Sequence, residues 1–292
     1  MSTRPNPIEF FRQSLKSDAY YADELINIYL LRPAAALIVW LLYPTPVTPN
    51  QVTIIAIVSG LAAALAYLGL TPAAVAIAGL LVTAKDILDD ADGQLARAKK
   101  LYSRRGRFLD SIGDFLVDAA LFSAVTFVVY LREPSATTIV LGVCSFVGIT
   151  LRVSYHVFYQ VSFLHLEERY KLNRIVEEIT EEDRRGDPVD LRLQQVFVLI
   201  YNWQDRLMYR LDRWCLGSEG SAEKLALWYG DRAGLRLSGL MGFGTEFALL
   251  SVCSFFNALE LYLLLNVFLM NGIWIASILY RRAILAPGLI SR

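Results

Sequence analysis

The chain has 292 residues, of which 55% are hydrophobic, and its 28 basic and 28 acidic side chains cancel to a formal net charge of zero. Balanced charge gives no electrostatic case for a nucleic-acid partner. An apolar share above the roughly 45–50% of globular chains, gathered in long blocks, is the pattern of an integral membrane protein rather than a soluble domain.

Residues 1–43 begin polar, without the central apolar region of a signal peptide, and turn apolar after Pro33. The apolar part is too short to span, so the segment reads as an amphipathic helix in the cytoplasmic interface. The turn at residues 45–53, TPVTPNQVT, precedes a first span from Val52 to Leu70, with Asn50 or Thr48 as its cap. A second apolar run starts at Ala73 and stays fully apolar only to Ala84, twelve residues. Twelve helical residues rise about 18 Å, a little over half the hydrocarbon thickness. Lys85, Asp86, Asp89, Asp90 and Asp92, which come next, therefore begin inside the membrane. The following connection carries Arg97, Lys99, Lys100, Arg104, Arg105 and Arg107, which places it in the cytoplasm by the positive-inside rule.

The third span, Phe108 to Leu131, carries Asp110, Asp114 and Asp118 in its first half, at a depth similar to the first acid set. The fourth, Thr137 to Phe163, carries Arg152. Residues 164–236 are polar and then amphipathic, with Trp203, Trp214 and Trp228, and read as a cytoplasmic insertion resting on the membrane surface. Its charge run Glu177–Asp190 reads as a solvated face. Leu237–Phe256 and Leu259–Tyr280 make spans five and six. The expected architecture is an all-α integral membrane protein with six transmembrane helices and both termini cytoplasmic. Its parts are an N-terminal segment (1–43), a catalytic half (44–163), an insertion (164–236) and a final pair of spans with a tail (237–292). Cys144 and Cys253 lie in apolar runs and read as packing residues.

Ionisable residues inside spans are costly, so they mark function by default. Asp89 and Asp92 are three apart, and Asp110 and Asp114 four apart, so each pair shares a helix face. Gly93, Ala96 and Gly106 stand at one- or two-turn offsets and leave room for a bulky neighbour. Two such helices facing each other gather four negative charges, which requires cations. Oxygen-only ligands favour Mg2+ or Mn2+ over zinc. Asp90 and Asp118 lie outside this pattern, and Lys85 can neutralise Asp86 or Asp89. A proton or cation pathway is the rival reading, but it does not call for small residues at those offsets or for Arg97 just beyond.

The stretch reads Asp89-x2-Asp92-Gly93-x2-Ala96-Arg97-x8-Gly106-x3-Asp110-x3-Asp114. It resembles the signature of the CDP-alcohol phosphatidyltransferase family at all eight fixed positions. The resemblance covers residues 24–165 and, more loosely, 237–282. It implies a transfer dependent on two Mg2+ or Mn2+ ions, in which a CDP-linked alcohol, usually CDP-diacylglycerol, gives its phosphoryl-alcohol part to an acceptor hydroxyl and CMP leaves. It implies that Asp89, Asp92 and Asp110 hold the metals, and that Asp114 touches metal and takes the acceptor's proton. Gly93 and Ala96 then make room for the nucleotide. Arg97, Ser103 and the turn from Asn50 to Thr53 line the CDP site, and Gly106 opens the start of the third span. A homodimer is also implied. Arg152 stands at a depth where it could bind a phosphate on the acceptor, or serve as a paired or snorkelling arginine. The acceptor stays open between a polyol, a polyol phosphate and a free alcohol. The same residues also suit the reverse arrangement, in which CDP carries choline or ethanolamine and a lipid accepts.

Overall fold

The computed structural model describes residue 10 and residues 20–166, 177–217 and 222–284. Among these residues the structure is helical, without strands. The helices are α1 (Asn27–Leu42), α2 (Pro49–Tyr67), α3 (Pro72–Lys99), α4 (Arg104–Arg132) and α5 (Ala136–Leu166), then α6 (Glu181–Arg185), α7 (Pro188–Leu216), α8 (Ala222–Gly230), α9 (Arg232–Ser238), α10 (Phe243–Phe255) and α11 (Leu259–Ile284).

Local chemistry sets the starts that position the site. Thr48 caps α2, where its backbone N–H donates to Gln51 Oε1 at 2.9 Å and Pro49 occupies the first turn. Thr71 accepts from the Ala74 N–H at 3.1 Å and starts α3, again before a proline. Ser103 accepts from the Gly106 N–H at 2.9 Å and starts α4. Lys100, in the left-handed conformation at φ +56°, ends α3 and lets four residues turn the chain back.

Among the described residues, four helices are long and apolar enough to cross a membrane: α2, α4, α5 and α11. The pair α9–α10, bent by 42°, makes a fifth if it counts as one span. The six spans expected from sequence are therefore not all met by length and composition. The one that drops out is α3, at 28 residues long enough, because Lys85, Asp86, Asp89, Asp90 and Asp92 load its C-terminal half with charge. Nor is the N-terminal interfacial helix met as expected. Residues 1–9 and 11–19 lie outside the described residues, and α1, in the second half of that segment, is an apolar helix too short to span. Ala35 and Val39 of α1 pack against Ala91 and Leu95 of α3.

The main core joins α2, α3, α4, α5, α10 and α11 through Ala63, Val82, Leu121, Ile149, Phe247 and Tyr262, among others. Both acid-bearing helices, α3 and α4, pack along α2, yet they make few close backbone contacts with each other. Helix α2 thus holds them side by side with a gap between. Helix α7 crosses the ends of α4 and α5: Phe197 meets Phe108 at 5.3 Å, and Gln204 Oε1 accepts from the Ser154 hydroxyl at 2.5 Å. The Tyr201 hydroxyl donates to Ser111 O at 2.6 Å.

Candidate active site

On α3, Lys85, Asp89 and Asp92 share one face by their spacing of four and three, and on α4 Asp110, Asp114 and Asp118 recur every fourth residue. Across the gap, Asp89, Asp92 and Asp110 each offer a carboxylate oxygen, all within 4.8 Å of one another. Three oxygens so close repel strongly without a cation, and an all-oxygen donor set of this span fits a hard divalent ion. The residues present therefore suit a hard divalent ion such as Mg2+ or Mn2+, which Asp89, Asp92 and Asp110 could hold between them. Thr53 donates its hydroxyl to Asp92 Oδ2, which fixes that carboxylate from α2.

Asp114 stands one turn further along α4. Its Oδ1 lies 2.6 Å from the Lys85 ammonium, which also lies 3.6 Å from Asp89 Oδ2 and 3.8 Å from Asp86 Oδ1. Lys85 is only 1% exposed. Sequence spacing points to Asp86 and Asp89 as its partners and misses the shortest pair, with Asp114, because that contact crosses between helices. Asp118 is buried with Oδ1 lacking a hydrogen-bond partner.

The residues expected around a nucleotide fall at the same end. A methyl group added at Gly106 would come 2.6 Å from Asn50 Oδ1 and 2.9 Å from Ser103 Oγ, so Asn50, Ser103 and Gly106 meet where α2 and α4 start. Gly93 is different: an added methyl would meet only Arg97 Nη1, at 3.5 Å, so the face beside Asp92 is open. Ala96 is half-buried and Arg97 exposed.

Arg152 is fully buried on α5. Its Nη2 donates to Glu246 Oε2 at 2.8 Å, and its Nη1 donates to Asn271 Oδ1 at 2.5 Å and Asn266 O at 3.2 Å. Glu246, on α10, is the acidic partner.

Acidic residues of the insertion cover the basic turn that opens α4. Arg104 pairs with Asp183 at 2.6 Å and Glu177 at 3.2 Å, Arg105 with Asp190 at 2.5 Å, and Arg107 with Glu177 at 2.9 Å. The run expected to be solvated is mostly exposed, but Glu177 is buried beneath it. The Arg104 guanidinium, helped by the Thr180 N–H, holds the Asp183 carboxyl below its ordinary range. A depressed acid contributes stability above its unfolded value and loses that contribution as pH falls towards its folded value. Cleavage of residues 177–190 by an acid-active protease is accordingly expected to accelerate below about pH 4.

The family model described as CDP-alcohol phosphatidyltransferase matches residues 46–209. That is more than half of the chain. The chain belongs to the CDP-alcohol phosphatidyltransferase family. The match runs from the turn before α2 into α7: it starts later than residue 24, passes residue 165, and does not include the looser likeness expected over 237–282. Among curated proteins, the "Bifunctional IPC transferase and DIPP synthase" of Thermococcus kodakarensis is 38% identical over 88 residues, 30% of this chain and 19% of that protein. The protein of the same description from Archaeoglobus fulgidus is 42% identical over 84 residues, 29% of this chain and 16% of that protein. The one from Aquifex aeolicus is 39% identical over 79 residues, 27% of this chain and 17% of that protein. The chain thus aligns with less than a fifth of the length of these relatives.

Proposed function

We propose that the protein transfers a phosphatidyl, or other phosphoryl-alcohol, group from a CDP-alcohol, CDP-diacylglycerol foremost, to a hydroxyl acceptor, and releases CMP. The observation that carries this reading is the convergence of Asp89, Asp92 and Asp110 from two helices onto one point, beside the open face at Gly93. The family model, described as CDP-alcohol phosphatidyltransferase, and the similarity to proteins described as IPC transferase and DIPP synthase support a transferase that acts on a CDP-linked alcohol.

A divalent ion held by Asp89, Asp92 and Asp110, with a second reached by Asp114, would neutralise charge on the attacking and leaving oxygens. Thr53 keeps the Asp92 carboxylate turned into the gap. Arg97, exposed one turn beyond Gly93, is placed to pair with a diphosphate. Asn50, Ser103 and Gly106 line the other wall. The acceptor oxygen bonds to the phosphorus that carries the alcohol, and its proton passes to Asp114. The bond from that phosphorus to the bridging oxygen breaks, and this oxygen leaves with CMP. Asp114 works by position, close to the acceptor.

The basic connection between α3 and α4 supports a cytoplasmic site, with α3 as the sixth span and both termini inside. The exposed stripe of α7, which combines Leu199, Trp203, Leu207 and Trp214 with Arg206 and Arg210, supports an interfacial place for the insertion. A lipid substrate then enters sideways while CMP and a polar acceptor exchange with water. A homodimer is part of the same proposal. If Arg152 binds an acceptor phosphate, that phosphate must displace Glu246.

The test uses purified protein with CDP-diacylglycerol, Mg2+ and a panel of polyols, polyol phosphates and free alcohols. CMP release that depends on one acceptor is the expected result. Release only from CDP-choline or CDP-ethanolamine with diacylglycerol would reverse donor and acceptor. Ion flux in proteoliposomes without nucleotide, and no CMP in any arm, would favour a transporter. Gly93→Ala is expected to fold normally and to raise KM for the CDP substrate about tenfold, since its methyl enters space left for the nucleotide.

A further inference from the structure

The transfer reaction gives Lys85 no part, yet its ammonium stands among the acids. It lies closest to Asp114, at 2.6 Å, and within 4 Å of Asp86 and Asp89. The side chain is fixed from outside the cluster. Its stem packs against Gly60, where an added methyl would approach Lys85 Cγ to 3.3 Å. Beneath the ammonium lie the rings of Phe243 and Phe247, stacked within 8° of parallel, with centroids 5.7 and 5.6 Å from Nζ. Walled in by α2 and α10, the side chain is 1% exposed. Its ion pairs with Asp86, Asp89 and Asp114 all lie within this cluster.

We propose that Lys85 is a positioning residue for the transfer. It fixes one oxygen of Asp114, leaves Oδ2 free for the acceptor's proton, and moderates the negative charge that draws the divalent ion. This inference rests on the proposed transferase reading. It has two consequences of opposite sign: removing the cation tightens metal binding while slowing turnover. A lysine that only filled the core would do neither to the folded fraction.

The experiment compares Lys85→Met, Lys85→Arg and the pair Lys85→Met/Asp118→Asn in the full-length protein. The pair keeps the wild-type charge of the cluster, because it also removes one buried carboxylate on the turn after Asp114, so it guards against failure of the single variant to fold. Mn2+ affinity is read by electron paramagnetic resonance without substrate, and kcat and KM are read from CMP release. Lys85→Met should bind Mn2+ about tenfold more tightly and lose about tenfold in kcat, with KM for the CDP substrate unchanged. Lys85→Arg should restore wild-type Mn2+ affinity and part of kcat. The pair should keep the kcat loss. Weaker Mn2+ binding by Lys85→Met, or wild-type kcat in the pair, would overturn the assignment. Absence of CMP release from the wild type would instead reject the transferase reading itself, while release by the wild type with an unchanged Lys85→Met rate rejects only the role of Lys85.

Discussion

Asp114→Asn is expected to lower CMP release by about 10²–10⁴-fold while the protein stays folded. The substitution is nearly isosteric, and the amide oxygen can still accept from Lys85, so the packing around α4 survives. What disappears is the charge and the capacity to take a proton from the acceptor hydroxyl. Asp118→Asn, one turn further from Asp89 and Asp92, is the control and should change turnover little. The measurement is CMP release per folded molecule, with melting temperature alongside. Wild-type turnover in Asp114→Asn would reject the base assignment even if the metal holders proved correct.

The second large effect is on stability. Arg152→Met should destabilise the protein by about 3–5 kcal/mol, because it strands a buried carboxylate. Glu246 accepts from Arg152, from the Tyr262 hydroxyl at 2.9 Å and from the Asn266 amide, so its charge is compensated from two other helices. Total stabilities of about 5–15 kcal/mol make such a loss severe. Arg152→Met/Glu246→Met should recover most of it, since replacing both partners leaves no orphaned charge. Thermal unfolding in detergent checks both. A melting temperature unchanged in Arg152→Met, with a raised KM for a phosphorylated acceptor, would speak for the acceptor-binding role instead.

Much of the site is legible along the chain because its spacing is helical. Asp89 with Asp92, and Asp110 with Asp114, announce their shared faces by intervals of three and four, and the turn before α2 with its cap at Thr48 is a local signal too. Contacts between helices carry no such interval. Lys85 with Asp114, Arg152 with Glu246, and Arg104 with Asp183 join residues 29, 94 and 79 positions apart, and nothing local marks them. The span count differs for the same reason that α3 matters: a helix that carries the site's charge no longer looks apolar enough to cross. The run at 177–190 is largely exposed, as its charge suggests, but Glu177, Asp183, Asp187 and Asp190 are matched by the arginines at the start of α4, which its charge alone does not show.

A Mn2+ titration followed by electron paramagnetic resonance, on the wild type, Asp92→Asn and Asp110→Asn, tests the arrangement most directly. Carboxylates from α3 and α4 that share one ion predict that the wild type binds Mn2+ and that each single substitution, on either helix, weakens binding by about tenfold or more. Binding left intact by one of the two substitutions would mean that the two helices do not share an ion, and would contradict the account.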